Sequence, residues 1–263
     1  MNKAVEHAIA LHAELEYPRE CCGLIALVDG TPVYFPCNNL AQMPDEDFKL
    51  GAQDWMKVED QSEGILAVVH SHPDQSPQPS ESDLVGCERT NLPWYIQEVR
   101  EGKSKELLSF RPSLYSAPLV GRTFHHGTLD CLQIILDYYL RERGIDLGTY
   151  EREDGWWDAG KDYYRELLPK AGFYQVDDLR QGDIILMQVR SPVPNHAGIY
   201  LEDGTLSSEP CFPQPGTILH HLYGRLSRRD NYGGYWADVT VGYWRYKDGG
   251  KEENYPALRS PWN

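Results

Sequence analysis

Two histidines one residue apart, followed at short intervals by a serine and an aspartate, are the first residues in the sequence that could do chemistry. They are His70, His72, Ser80 and Asp83. The apolar run at residues 65–69 predicts a buried strand before His70, and residues two apart in a strand point to the same face. The two histidines would then converge on one point, with Asp83 as a third ligand and a fourth position open to water. This arrangement is typical of a catalytic zinc site.

A cysteine at the start of a predicted helix forms a second group. Apolar residues recur at helical spacing after Cys131, and Asp130 is a suitable N-cap. The helix macrodipole favours a thiolate in this first turn. His196 follows in a strand-like stretch, and His220 and His221 come later. A cysteine with histidines on separate strands indicates Cys–His nucleophilic catalysis.

Each group also has a purely structural interpretation. His70 and His72 could be core histidines beside a loop rich in capping residues, or the fold could have lost its metal. Cys131 could be a buried structural cysteine, which is a common environment for free thiols. We favour the chemical interpretation, because all four residues of the first group stand at defined positions after a predicted strand and because Cys131 begins a helix while His196 lies on a strand.

The bulk composition restricts the class of protein. The chain has 263 residues, of which 41% are hydrophobic and 25% charged, so it has a globular composition and room for two domains. A formal net charge of −15 without an evident basic patch argues against a nucleic-acid partner. The six cysteines follow no disulfide framework, which predicts reduced thiols in a cytoplasm. No apolar stretch reaches the ~18 residues of a transmembrane helix, so we predict no transmembrane segment.

The elements that position the first group form a mixed α/β domain. Helical and alternating patterns predict helices at 3–16, 53–63 and 83–90 and strands at 23–28, 33–35, 65–69, 94–96 and 107–110. The Pro- and Ser-rich segment 73–82 is predicted to be a loop. Segment 111–118 breaks the periodicity, so we place a domain boundary there and assign residues 1–112 to the first domain.

The elements around the second group have a different order. Helices are predicted at 131–143 and 161–168, followed by strands at 184–187, 199–201 and 218–220. Helices first and a sheet afterwards are typical of an α+β domain. We assign residues 113–248 to this second domain and residues 249–263 to a polar C-terminal tail.

The first half resembles the JAMM (MPN/Mov34) metalloprotease family, which has a cytidine-deaminase-like mixed sheet with helices. The family motif is a glutamate, then His-x-His, seven residues, Ser, two residues and Asp, and the same spacing separates His72, Ser80 and Asp83 here. Glu20 matches the glutamate. By that resemblance, Zn²⁺ is bound by His70, His72 and Asp83. Glu20 would be the general base on the attacking water and Ser80 would help to hold the oxyanion, in a zinc-dependent peptidase whose substrate the sequence does not name.

The second half resembles the NlpC/P60 cysteine peptidases, which have a papain-like α+β fold. The matching segments are residues 130–131, 182–186 and 196–201. The resemblance implies that Cys131 is the nucleophile and His196 the general base in cleavage of cell-wall stem peptides. His220 fits the apolar-apolar-His strand of the family and is predicted to orient His196, with the adjacent His221 as the alternative.

The second half also departs from the family pattern. Leu132 and Gln133 stand where the family usually has Ser and Gly, and Phe124 replaces an upstream tyrosine. The segment between Gly204 and Gly216 lengthens the usual gap to the orienting histidine. These departures imply an altered substrate range or a weaker activity.

A JAMM domain followed by an NlpC/P60 domain resembles the tail assembly proteins of long-tailed bacteriophages. The resemblance implies cleavage of bacterial peptidoglycan peptides during tail assembly or genome entry, with other phage tail-tip proteins as partners. The protein would lie in the host cytoplasm during assembly, with the virion tail tip as a further location. The alternative is a mainly structural tail-tip assembly factor with low or no peptidase activity.

Overall fold

The chain folds into two compact units, each with its own sheet. The computed structural model describes residues 2–153 and 155–247, and the division between the units falls between Ser116 and Ala117. The bounds predicted at 112 and 248 stay predictions, and the predicted tail at 249–263 lies outside the described residues. The two sheets with their helices form a mixed α+β fold, which confirms the fold class predicted from the sequence.

The first unit is a five-stranded mixed sheet with helices. The strand order is β2-β1-β3-β4-β5, in which β3 and β4 are parallel and the other neighbours antiparallel. The elements are α1 (Lys3–Glu16), β1 (Cys22–Val28), β2 (Thr31–Cys37), α2 (Ala52–Asp60), β3 (Gly64–Pro73), α3 (Glu81–Thr90), β4 (Trp94–Arg100) and β5 (Lys103–Phe110). Every helix and strand predicted for this half is present, with ends that differ by a few residues.

Alternation along β3 decides which helix each of its side chains faces. Ala67 and Val69 pack in one cluster with residues of α1, whereas Val68 packs in another with residues of α2 and α3. His70 and His72 continue the alternation of Val68, so they face the layer that contains α3.

The start of α3 is fixed by its sequence. Ser80 Oγ accepts a hydrogen bond from the Asp83 backbone N–H at 3.1 Å, and the Asp83 carboxylate accepts one from the Ser80 backbone N–H at 2.7 Å. This capping box provides hydrogen-bond partners for backbone N–H groups at the N-terminus of α3. The predicted loop at 73–82 is therefore too long, because β3 runs through Pro73 and α3 already begins at Glu81.

The second unit is an antiparallel six-stranded sheet with α4 packed against β8. Its strand order is β10-β9-β8-β7-β11-β6. The elements are α4 (Cys131–Arg143), α5 (Tyr163–Lys170), β6 (Phe173–Val176), β7 (Ile184–Met187), β8 (His196–Leu201), β9 (Thr217–His220), β10 (Arg228–Asn231), α6 (Tyr235–Asp238) and β11 (Thr240–Tyr246). The predicted helices and strands are present, whereas β6, β10, α6 and β11 were not predicted.

Strands β8 and β9 form an antiparallel hairpin that brings two histidines to the same end. Leu201 pairs with Thr217 beside the connection, and Gly198 pairs with His220 further along. The long connection, which contains Gly204 and Gly216, therefore lies at the opposite end of the hairpin from His220.

No helix in the described ranges 2–153 and 155–247 combines the length and the apolar character that crossing a bilayer requires. All six cysteines lie in those ranges and are free thiols.

Candidate zinc and cysteine sites

The structure brings His70, His72 and Asp83 together. One ligand atom from each lies within 4.8 Å of the others, and all three residues are buried. The Nε2 atoms of His70 and His72 are 3.2 Å apart. Asp83 Oδ1 lies 3.2 Å from His70 Nε2, and its Oδ2 lies 3.5 Å from His72 Nε2. Two imidazole nitrogens and a carboxylate oxygen form a donor set that suits Zn²⁺.

Neighbouring groups orient the two imidazoles. The Nδ1 of His72 donates to the Ser76 carbonyl oxygen at 2.7 Å, so in the neutral ring Nε2 is the nitrogen that can bind a metal ion. His70 stacks on Phe48 at a centroid distance of 4.4 Å and meets the edge of Trp94 at 5.6 Å. Its Nδ1 is buried and finds no hydrogen-bond partner among the described residues, so aromatic packing holds this ring.

The electrostatics of the cluster favour an ionised carboxylate. Burial alone would raise the pKa of Asp83, but attraction to His70 when that imidazole is protonated, and hydrogen bonds with His70, His72 and Ser80, hold this pKa well below its ordinary value. Burial lowers the pKa of His70, which keeps this imidazole neutral at pH 7. A carboxylate and a neutral imidazole are the protonation states that bind metal.

Glu20 lies beside the same cluster. Cys22 of β1 is opposite His70 of the antiparallel β3, so the chain just before β1 runs past His72. Glu20 is buried, and burial followed by repulsion from Asp83 raises the pKa of its carboxyl well above the ordinary value. A carboxyl with a raised pKa is suited to proton transfer near neutral pH.

The hydroxyl of Ser80 is part of the N-terminal cap of α3. Ser80 Oγ donates to Asp83 Oδ2 at 2.7 Å and lies 2.8 Å from Ser82 Oγ. The side chain thus fixes a candidate metal ligand, while its oxyanion role stays a prediction.

Cys131 is the first residue of α4. Its N-cap is Asp130, whose Oδ1 accepts from the backbone N–H groups of Leu132 at 3.0 Å and Gln133 at 2.9 Å. Cys131 Sγ lies 3.1 Å from the Tyr164 hydroxyl, and the Ala197 backbone N–H also donates toward the sulfur. Because His196 immediately precedes Ala197, the start of α4 meets the start of β8.

A chain of hydrogen bonds runs back from His196. The Nε2 of His196 lies 3.0 Å from the Nδ1 of His220, and the Nε2 of His220 lies 3.1 Å from Asp230 Oδ2. The ring of His221 instead bonds the Arg225 carbonyl oxygen through Nε2 at 3.0 Å. It is therefore His220 that contacts His196, although its catalytic role stays a prediction.

Cys131 and His196 line the same cavity, which has a volume of about 280 Å³. Arg152 also lines it, but its guanidinium is paired with the Asp130 carboxylate. The wall is otherwise rich in aromatic side chains, namely Phe124, Trp156, Trp157, Tyr163, Tyr164 and Tyr223.

The Cys131 thiol and the His196 imidazole at this cavity are both neutral at pH 7. Burial raises the pKa of Cys131 to about 11 and is reinforced by repulsion from Asp130, which together outweigh the hydrogen bond from Tyr164. Burial and then His220 lower the pKa of His196 well below its ordinary value. The sequence-based expectation of a favoured thiolate is thus wrong here, because a helix dipole contributes only about 0.3–1 kcal/mol at exposed sites and burial opposes it.

Three residues that contact Cys131, its helix cap or the linked histidines were not found from the sequence. Arg152 lies in an irregular segment, and Tyr164 is 33 residues from Cys131. Asp230 lies in a strand of four polar residues, which shows no alternation of apolar and polar positions. Such contacts depend on tertiary packing, and no local pattern in the sequence indicates them.

The two units correspond to two families associated with peptidases. Residues 2–111 match the prokaryotic homologs of the JAB domain, and residues 121–245 match the NlpC/P60 family. Both domain resemblances are therefore confirmed, in the predicted order.

Two curated relatives match most of the chain and most of their own length. It is 40% identical over 251 residues to tail tip assembly protein K of Escherichia phage N15, covering 94% of this chain and 96% of that protein. It is 36% identical over 200 residues to tail tip assembly protein K of Escherichia phage lambda, covering 75% and 89%. The chain belongs to the family of phage tail tip assembly protein K.

A more distant similarity covers the first unit. The chain is 25% identical over 115 residues to the CysO-cysteine peptidase of Mycobacterium tuberculosis (strain ATCC 25618 / H37Rv), covering 40% of this chain and 76% of that protein.

Proposed function

We propose that this protein acts in phage tail tip assembly and that its second unit is a cysteine endopeptidase for peptides of bacterial peptidoglycan. The observation that carries the enzymatic part is the shared cavity of Cys131 and His196, with His196 hydrogen-bonded to His220. The NlpC/P60 match supports a cell-wall substrate, and the names of the two phage relatives support the role in assembly.

In the proposed reaction, His196 takes the thiol proton while the sulfur of Cys131 attacks the scissile carbonyl carbon. Proton transfer accompanies attack, because a thiol with a pKa of about 11 is ionised only to about 10⁻⁴ at pH 7. The positive end of α4 stabilises the developing oxyanion. His196 then returns the proton to the leaving amine as the C–N bond breaks, and water hydrolyses the thioester to free Cys131.

We further propose that the first unit is a zinc-dependent peptidase. His70, His72 and Asp83 would hold Zn²⁺, which when bound polarises a carbonyl and lowers the pKa of water. Glu20 would accept a proton from the attacking water and pass it to the leaving amine. The JAB match and the similarity to a relative named a peptidase support this activity, with a tail protein or an isopeptide-like linkage as the candidate substrate.

The proposed partners follow from these roles. The partners would be other tail-tip proteins and peptidoglycan peptides, and the protein itself would lie in the host cytoplasm during assembly or at the virion tail tip.

A second candidate function is a mainly structural tail-tip assembly factor. The raised pKa of the Cys131 thiol favours it, because this thiol is not activated in the isolated chain. This candidate requires that loss of the whole protein abolish tails while Cys131→Ala leaves them intact.

Digestion of purified peptidoglycan, with mass spectrometry of the released fragments, tests the cysteine activity. Wild type would be compared with Cys131→Ala, His72→Ala and the control Cys211→Ala, which changes another free thiol of the second unit. We expect fragments from every form except Cys131→Ala. Absence of fragments from all forms would favour the assembly factor.

A further inference from the structure

Three neighbouring strands place His196, His220 and Asp230 in one row. In the ladder of β8 with β9, Gly198 is opposite His220, so His196 is the diagonal neighbour of His220. In the ladder of β9 with β10, Ile218 is opposite Asp230, which makes Asp230 the diagonal neighbour of His220 on the other side. Diagonal neighbours on one face are within reach of long side chains.

The contacts along this row are hydrogen bonds. His196 Nε2 is 3.0 Å from His220 Nδ1, and His220 Nε2 is 3.1 Å from Asp230 Oδ2. The ring of His220 is fully buried and packs against the edge of Trp236 at a centroid distance of 4.6 Å. The ring therefore presents a fixed nitrogen to each neighbour.

The carboxylate at the end of the row decides where the protons lie. An ionised carboxylate only accepts hydrogen bonds, so the Nε2 of His220 carries the proton that Asp230 accepts. A neutral imidazole has one N–H, so His220 Nδ1 is an acceptor and His196 Nε2 is the donor between the two rings. His196 Nδ1 then carries no proton and can accept one.

His220 is neutral at pH 7, because burial and a nearby cation both lower its pKa. Burial lowers the pKa of His220, and Arg228 acts in the same direction against the effect of Asp230. Arg228 donates to the same oxygen, Asp230 Oδ2, from Nε at 2.9 Å and from Nη2 at 2.7 Å. Arg228 thereby keeps Asp230 ionised and offsets its attraction for a proton on His220.

We propose that Asp230 is a positioning residue that selects the tautomers of His220 and His196 and leaves His196 Nδ1 as the acceptor of the Cys131 proton. The inference rests on the proposed cysteine peptidase function for its last step. The tautomers themselves are a property of the folded protein without substrate, so they can be measured independently of any peptidase activity.

Nitrogen-15 NMR of the full-length protein with labelled histidines measures the tautomers directly. In wild type we expect single protonation at Nε2 on both His220 and His196. Asp230→Ala is expected to populate the other tautomer of His220. Asp230→Asn, which keeps an oxygen acceptor, should retain the wild-type state, and so should the control Asp178→Ala, which removes an exposed carboxylate of the same unit.

The rate of Cys131 alkylation by iodoacetamide, resolved by peptide mass mapping, provides a second readout. We expect Asp230→Ala to slow this rate at pH 7 by about tenfold or more, because general-base assistance contributes about 10²–10⁴-fold. Asp178→Ala should leave it unchanged.

A proton on His220 Nδ1 in wild type would overturn the inference, even if variants failed to fold. So would unchanged tautomers and alkylation in a folded Asp230→Ala protein. If the wild-type tautomers are as expected but peptidoglycan is not digested, the proposed function fails while the assignment of Asp230 stands.

Discussion

The guanidinium of Arg152 forms a buried bidentate ion pair with the carboxylate of Asp130, directly beside Cys131. Arg152 Nε lies 2.9 Å from Asp130 Oδ2, and the two side chains are only 4% and 3% exposed. Burial alone would raise the pKa of Asp130, but Arg152 and the hydrogen bonds at the cap lower it to about 2. The helix cap of α4 is therefore an ionised carboxylate whose charge Arg152 balances.

Arg152→Ala is expected to destabilise the second unit strongly. Removing one partner of a buried pair leaves an uncompensated charge, which costs about 3–5 kcal/mol. Urea unfolding monitored by tryptophan fluorescence measures this free energy. The matched control is Arg180→Ala, which breaks the well-exposed pair of Arg180 with Asp178 and should change little. Similar midpoints for both variants would contradict the importance of the buried pair.

Zinc is expected to raise the melting temperature of the protein in a concentration-dependent way, and a chelator is expected to reverse this rise. Binding to the folded state alone stabilises it by about 2.7 kcal/mol at a hundredfold excess over the dissociation constant. Calorimetry together with measurement of bound zinc tests the prediction. His72→Ala should lose both effects, whereas the exposed His7→Ala should keep them. Equal zinc binding by His72→Ala would rule out the proposed ligand set.

Tyr164→Phe is expected to raise the pKa of Cys131 further. The Tyr164 hydroxyl stabilises the thiolate, so its removal favours the protonated thiol. A hydrogen bond to a charged group is worth about 1.5–3 kcal/mol, which corresponds to about one pKa unit or more. Alkylation of Cys131 should rise with pH toward about 11 in wild type and be displaced to higher pH in the variant.

The control for this variant is the neighbouring Tyr163→Phe, because the Tyr163 hydroxyl bonds the Glu151 carbonyl oxygen instead. Coincident pH profiles for wild type and Tyr164→Phe would show that the hydroxyl does not act on the sulfur.

Gly198→Ala is expected to disturb the hairpin that carries the two histidines. A Cβ at this position would lie 2.7 Å from Ile218 Cγ1 and 2.8 Å from the Leu219 carbonyl oxygen. Overpacking of this kind typically costs about 1–3 kcal/mol, which urea unfolding measures. Gly242→Ala in the same sheet is the control, since its nearest neighbour is the end of the flexible Gln175 side chain at 3.3 Å. A larger loss from Gly242→Ala would refute the steric argument.

The grouping of the candidate zinc ligands could be predicted from the sequence, because patterns within short segments of the chain place each of them. The alternation of β3 puts His70 and His72 on one face, and the capping residues of α3 fix Asp83 in its first turn. Glu20 was matched only through the family motif, since its approach to His72 depends on the pairing of β1 with β3.

The surroundings of Cys131 could be predicted only in part. The helix start and its Asp130 cap follow from local sequence, whereas the pKa of the thiol depends on burial that no pattern reveals. Strand β10 is polar throughout, so its pairing with β9, and with it the contact of Asp230 with His220, appears only in the folded chain.

The hairpin of β8 and β9 has a consequence for finding such sites in other sequences. His196 and His220 are 24 residues apart in the chain, yet the antiparallel register, and not that interval, sets their contact. Residues added to the connection between Gly204 and Gly216 change the interval while the paired strands keep both rings in place. A search pattern for this kind of site should therefore leave the gap between the histidines open and specify the strand around each one.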